Sequence, residues 1–142
     1  MERITYNDIP NGMFESLRNT ENFINNSVLD FHLLELVRLR VAQKNGCAYC
    51  TDMHHKELRH LNETDLRLSS LCVWEETAYF TKKERTAFAY TDVLTKLNRQ
   101  PIADKDYNPL LEFFSKAEIS LLTLAISQAN TWARLMKTFK FT

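Results

Sequence analysis

Apolar residues recur at intervals of three and four along most of the chain, with polar residues between them. This spacing is typical of α-helices that bury one face. Its first long run spans residues 28–44, and the dipeptide Asn45-Gly46 after it is a plausible C-terminal stop. The apolar positions of this run are Leu29, Leu33, Leu36, Val37 and Val41. The pattern therefore predicts a core helix over 28–44.

Further helices are predicted from the same spacing together with helix-start signals. Thr81 with Glu84, and Ser115 with Glu118, have the spacing of a capping box, in which a hydroxyl and a carboxylate each bond a free backbone N–H. No run of alternating apolar and polar residues with hairpin turns occurs, and no repeat. The expected fold is all-α with about six helices. The five further helices cover 47–61, 64–76, 81–97, 106–114 and 116–139.

Length and charge limit the classes of protein that this chain can be. At 142 residues it fits one domain over 1–142 with a core of its own. The 18 basic and 18 acidic residues balance, so no overall field favours nucleic acid or a membrane surface as a partner. No apolar stretch approaches the roughly 20 residues that span a bilayer. The start, MERITYNDIP, lacks the apolar region of a secretory signal, so a cytoplasmic location is expected. Residues 1–27 contain no usable motif and are expected to be an N-terminal arm.

The segment NGCAYCTDMHHKEL, residues 45–58, carries the candidate chemistry. Cys47 and Cys50 are three residues apart and His54 follows four later, so all three are expected on one face at the start of a core helix. Free N–H groups and the helix dipole favour the thiolate there, and an imidazole can exchange its proton. A thioredoxin-like site is excluded because it requires a βαβ context. His55 lies about 100° from His54 around the helix and faces elsewhere.

Other interpretations of the three cysteines stay open on spacing alone. Zinc could take Cys47, Cys50 and His54 as ligands, although no second pair supplies a fourth at a suitable interval. A c-type haem is excluded because Thr51, not histidine, follows the second cysteine. Cysteines can also be inert buried residues, which is the preferred interpretation for Cys72. His32, His55 and His60 are taken as ordinary helix-surface residues.

The segment ELVRLRVAQKNGCAYCTDMHHKEL closely resembles the alkylhydroperoxidase AhpD-like branch of the carboxymuconolactone decarboxylase family. That pattern is a glutamate, eleven residues, CxxC, three residues and a histidine, and Glu35, Cys47, Cys50 and His54 match it without a gap. The likeness extends through LSSLCVWEE, FTKKERTAFAYTDVLTKL and ISQANTWARL. The decarboxylase branch is similar in fold but lacks the cysteine pair.

The resemblance implies a thiol-dependent peroxidase with an antioxidant role. Cys50 would be oxidised by a hydroperoxide to a sulfenic acid, and Cys47 would condense with it to a disulfide. Glu35 and His54 would form a proton relay. The implied partners are a hydroperoxide substrate, an external dithiol or thiol-protein reductant, and further copies of the chain in a homotrimer or homohexamer. No cofactor or metal is implied.

Several residues qualify this interpretation. Without the resemblance, Glu35 could simply pair with Arg38 on the helix surface. Tyr49 stands between the cysteines where some members carry histidine, and Ala133 replaces an asparagine of the C-terminal pattern. A zinc-binding or redox-sensing helical module stays as the alternative function, and a lactone decarboxylase as a more distant one. Aromatic residues could form subunit contacts or fill the core, and these are Trp74, Tyr79, Phe80, Phe113 and Phe114.

Overall fold

The computed structural model describes residues 1–141, and within them the chain forms α-helices and short 3-10 helices without a β-strand. The all-α prediction is confirmed, with seven α-helices in place of about six. No helix in the described residues is long and apolar enough to cross a membrane. The α-helices, α1 to α7 in chain order, are Met13–Asn25, Phe31–Asn45, Ala48–His60, Asp65–Ser70, Lys82–Thr95, Asp104–Tyr107 and Lys116–Phe139. The 3-10 helices are Tyr6–Asp8, Leu71–Glu76 and Asn108–Glu112.

Helix α2 lies at the centre and packs against α3, α5 and α7. Every residue from 33 to 42 is buried, charged residues included. A buried charge is costly unless it is paired, so each of these side chains needs a partner. Arg40 shows the general solution, because its guanidinium donates to both carboxylate oxygens of Asp92 on α5, at 2.7 and 2.8 Å. The central helix therefore carries polar groups into the interior, where other helices can hold them.

The ends of the core helices follow the predicted local signals. Gly46 ends α2 in the left-handed conformation, with φ of 59°, which glycine adopts without a steric cost. Both capping boxes are present, at the starts of α5 and α7. Helix α3 begins one residue later than predicted, because Cys47 is its extended N-cap residue, with φ of −92° and ψ of 101°.

Two predicted helices are each divided into an α-helix and a 3-10 helix. The predicted helix 64–76 changes type after Ser70, and Val73 leaves helical geometry with φ of −126° and ψ of 36°. Because of this change, helical spacing does not predict which residues of the 3-10 segment are buried. Cys72 is exposed, so the prediction that it is a buried thiol is wrong. The predicted helix 106–114 instead starts at Asp104 and becomes 3-10 around Pro109, which lacks a backbone N–H.

The segment before residue 28 contains a helix that was not predicted. Helix α1 packs against α7 of the same chain and buries Phe14 and Ile24. The expected arm is therefore part of the helical fold over residues 13–25. Of the aromatic residues left open between core and interface, Trp74, Phe80 and Phe114 are buried within the chain, Phe113 is partly buried, and Tyr79 is exposed.

A buried carboxylate joins the starts of α2, α4 and α5. Glu63 receives hydrogen bonds from the Arg67 guanidinium at 2.8 Å and from the Thr64 backbone N–H at 2.9 Å, and it contacts His32 Nε2 at 2.5 Å. Arg67 also pairs with Glu84, at 2.8 Å. Burial alone would raise the pKa of Glu63, but the hydrogen bonds from Arg67, His32 and Thr64 lower it to about 2. His32, expected as an ordinary surface residue, thus pairs with a buried acid.

We expect Glu63→Gln to lower the free energy of unfolding at neutral pH by about 1–3 kcal/mol, because Arg67 and His32 lose a charged acceptor. The pKa of Glu63 is lower in the folded state than its ordinary value of 4.5. The contribution of the carboxylate is therefore complete above pH 4.5 and is lost as pH falls toward 2. Urea unfolding of wild type and variant between neutral and acidic pH measures this difference. It should shrink on acidification, whereas the exposed control Glu76→Gln should match wild type throughout.

Candidate functional site

Cys47 and Cys50 are joined by a disulfide at the start of α3, with their Cα atoms 5.3 Å apart. Cys47 Sγ also accepts the backbone N–H of Cys50, at 3.3 Å, and so caps the helix. Both residues are buried. The helix start predicted to hold a dithiol therefore holds the pair in its oxidised form, with a backbone donor directed at one sulfur.

His54 and Glu35 face each other between α3 and α2. His54 Nδ1 donates to Glu35 Oε2 at 2.8 Å, which leaves Nε2 as the nitrogen free to exchange a proton. Burial alone would raise the pKa of Glu35, but the hydrogen bond and charge of His54, and then Arg38, hold it below its ordinary value. Glu35 is thus an anion inside the fold, and the pairing between Glu35 and Arg38 is buried rather than on the surface.

Glu35 is held from its other side by a chain of contacts that sequence reasoning missed. Arg38 Nη1 donates to Glu35 Oε1 at 2.9 Å, and Arg38 Nη2 donates to Glu21 Oε2 on α1 at 2.8 Å. The indole N–H of Trp132 on α7 donates to Glu21 Oε1 at 2.9 Å. The pairing of Arg38 with Glu35 was anticipated from their spacing, but Glu21 and Trp132 were not, because they are far away in sequence. Three helices therefore fix the position of one carboxylate.

A cavity of about 460 Å³ opens beside these groups. Cys50, His54 and Glu35 contribute to its lining, and Cys47 does not. Most of its remaining wall is apolar and includes Phe14, Phe31, Met53, Trp132 and Met136. A partly open, mostly apolar space beside a cysteine and a histidine suits a small organic molecule with one polar reacting group.

The structure therefore brings all four predicted site residues together. Cys47 was expected on the same helix face as Cys50 and His54, but it is an extended N-cap residue, so helical spacing does not apply to it. Tyr49, between the cysteines, also borders the cavity, and burial, followed by the nearby Tyr6, raises the pKa of its phenol. Ala133 is buried in the apolar cluster that contains both cysteines.

We next consider whether side chains in the described part of the chain could bind a metal ion. No group of three or more His, Cys, Asp or Glu side chains in residues 1–141 is placed to hold an ion. His55 and His60 are exposed, as predicted for helix-surface residues.

The family model of the carboxymuconolactone decarboxylase family matches residues 12–93, more than half of the chain. The chain belongs to this family. Its similarity to the uncharacterized protein YdfG of Bacillus subtilis is 30% identity over 94% of this chain and 91% of that protein. The matched residues of the family model include α1 to α3, and so the cysteine pair, Glu35 and His54.

Solved structures confirm the resemblance to AhpD-like members of the family. A protein of unknown function from Agrobacterium tumefaciens, described as a candidate antioxidant defence protein AhpD, is 32% identical with a TM-score of 0.95, over 100% of this chain and 97% of that one. An uncharacterized peroxidase-related protein from Silicibacter sp. TM1040 is 18% identical with a TM-score of 0.81, over 90% of this chain and 68% of that one. The second likeness shows the fold alone.

Proposed function

We propose that this protein is a thiol-dependent peroxidase that reduces hydroperoxides through a dithiol–disulfide cycle of Cys47 and Cys50. The observation that carries the proposal is the shared cavity: Cys50 borders it together with His54, and Cys47 is within bonding reach of Cys50 from outside it. The description of the 32%-identical solved relative as a candidate antioxidant defence protein supports the same activity.

In the proposed first step, His54 Nε2 takes the proton of Cys50, and the thiolate attacks the terminal oxygen of the hydroperoxide. The O–O bond breaks, the alkoxide takes the proton back from His54, and Cys50 becomes a sulfenic acid. Glu35 keeps Nδ1 protonated and stabilises the imidazolium while it holds that proton. The carboxylate therefore acts on the reaction through the histidine.

In the second step, the Cys47 thiol attacks the sulfenic sulfur and water leaves, which produces the disulfide. The reaction consumes one hydroperoxide and two thiols, and it yields one alcohol, one water and one disulfide. An external dithiol then restores both thiols by exchange. The apolar wall of the cavity is suited to the organic part of an alkyl hydroperoxide.

Intact mass spectrometry tests this proposal directly. Reduced protein treated with one equivalent of an organic hydroperoxide should lose about 2 Da, with Cys47 joined to Cys50 in the peptide map, and a dithiol should reverse the change. Metal content should be measured on the same thiol-protected sample. An unchanged mass together with stoichiometric zinc would overturn the peroxidase proposal and favour the metal-binding module.

A further inference from the structure

We propose that the dithiol that reduces the disulfide attacks Cys47 Sγ from an open hollow separate from the cavity, and that His55 takes the proton of the attacking thiol. This inference rests on the proposed function, because it assigns the reductive half of the same cycle. It gives a role to a histidine that the peroxide half does not use.

The two cysteines line different spaces. Cys50 lines the cavity that holds His54, whereas Cys47 lines an open hollow at the junction of α2 and α3. Neither space is lined by both cysteines. Gln43 lines the hollow too, and its side-chain oxygen is buried with no hydrogen-bond partner within residues 1–141. A disulfide whose two cysteines line different spaces can be formed from one space and opened from the other.

In thiol–disulfide exchange, the direction from which the thiolate approaches determines which of the two sulfurs it attacks. A thiolate attacks one sulfur along the S–S bond, from the side opposite the sulfur that leaves. A reductant in the hollow therefore attacks Cys47 and expels Cys50 as a thiolate on the side of the cavity. Because Cys47 is only 1% exposed, the dithiol must be narrow enough to enter the hollow.

His55 is the proton acceptor available in the hollow. It directly follows His54 on α3, so the two imidazoles face about 100° apart, one lining the cavity and the other the hollow. The other charged residue lining the hollow is Asp52, which pairs with Lys56 at 2.7 Å, and the α2 side of the hollow contributes no charged group. A smaller depression beside the end of α7 also reaches Cys47, but it contains no histidine or carboxylate side chain, and its Lys137 Nζ donates to the Asn45 carbonyl at 2.6 Å.

The proposed sequence balances in electrons and protons. His55 takes the proton of the first thiol, the thiolate forms a bond to Cys47 Sγ, and the electron pair of the S–S bond goes to Cys50. The second thiol loses its proton, which reaches the Cys50 thiolate through solvent, and attacks the reductant's own sulfur in the mixed disulfide; Cys47 leaves as a thiolate and takes its proton from His55. The dithiol is oxidised to its disulfide, and Cys47 and Cys50 become thiols again.

The reductive half-reaction is tested on preformed disulfide, without peroxide. Oxidised wild type and His55→Gln are mixed with dithiothreitol, and the second-order rate constant is measured against pH. At neutral pH we expect the rate constant of His55→Gln to be no more than about one tenth of the wild-type value, because a positioned base is lost. The two rates should converge as pH rises above the pKa of the dithiol, where no base is needed. The exposed histidine variant His60→Gln, on the same helix, should match wild type.

The proposal requires that His55→Gln slow the reduction of the disulfide and leave its formation by hydroperoxide unchanged. The rate of oxidation of reduced His55→Gln by organic hydroperoxide should equal that of wild type, and equal losses in both halves would overturn the proposal. An unchanged reduction rate at neutral pH would overturn it as well. Since reduction is measured without peroxide, its outcome is independent of whether the peroxidase proposal holds.

Trapping the mixed disulfide gives a second, independent test. Oxidised wild-type protein is treated with the monothiol 2-mercaptoethanol, quenched with acid and mapped by peptide mass spectrometry. We expect the adduct on Cys47. An adduct mainly on Cys50 would place the reductant in the cavity and overturn the proposal.

Discussion

Replacing Cys50 with serine is expected to lower dithiol-dependent hydroperoxide turnover by about a thousandfold or more, because the group that attacks the O–O bond is lost. A hydroxyl occupies nearly the same volume, so the cavity wall and the contact between His54 and Glu35 should persist. Turnover is measured with an organic hydroperoxide and excess dithiothreitol, and circular dichroism checks that the variant is folded.

Two cysteine variants make this result specific. Cys47→Ser should still react once with hydroperoxide and gain about 16 Da as a sulfenic acid on Cys50, since no second thiol is present to condense with it. The exposed Cys72 lies outside the cavity, so Cys72→Ser should keep wild-type turnover. Full activity of Cys50→Ser, or a sulfenic acid found on Cys47 in that variant, would show that the roles of the pair are assigned incorrectly.

The Glu35→Gln substitution is expected to affect both stability and catalysis. It leaves the buried Arg38 with one carboxylate partner instead of two and removes the anion that stabilises a protonated His54. Removing one member of a buried charge pair costs about 3–5 kcal/mol, and loss of a proton relay costs about a hundredfold in rate or more. Urea unfolding and steady-state turnover measure the two effects separately.

Measurements at acidic pH and on a matched surface variant show whether the effects of Glu35→Gln come from losing the carboxylate charge. The pKa of Glu35 is lower in the folded protein than its ordinary value of 4.5, so its stabilising effect is present above that pH and is lost as pH falls further. The stability difference between wild type and Glu35→Gln should therefore narrow in acid. Glu112→Gln, at an exposed position, should change neither quantity. A Glu35→Gln protein with wild-type turnover would contradict the proton relay.

The parts of the fold that sequence predicts well depend on local interactions. Capping at Thr81 and Ser115 and the stop at Gly46 each involve residues within one helical turn, and all three are present. The partial burial of a helix face is visible in the spacing of apolar residues. Helix α1 was missed because it buries only Phe14 and Ile24 within a mostly polar segment.

The parts of the site that sequence cannot predict depend on contacts between distant residues. Glu21 holds Arg38 from 17 residues away, and Trp132 holds Glu21 from 111 away. Nothing in the local pattern marks Glu21 among the other carboxylates of the chain. Cys47 lies at the start of α3 as predicted, but helical spacing does not describe its position because its backbone is extended.

The placement of the tryptophans has a consequence for optical work on this protein. The chain has two, and they lie in different environments. Trp74 packs against Phe88 in the main core, whereas the indole of Trp132 lines the cavity and donates to Glu21. A molecule that enters the cavity changes the surroundings of Trp132 and leaves those of Trp74 intact. Intrinsic fluorescence can therefore report occupancy of the cavity without an added dye, with Trp74 as an internal reference.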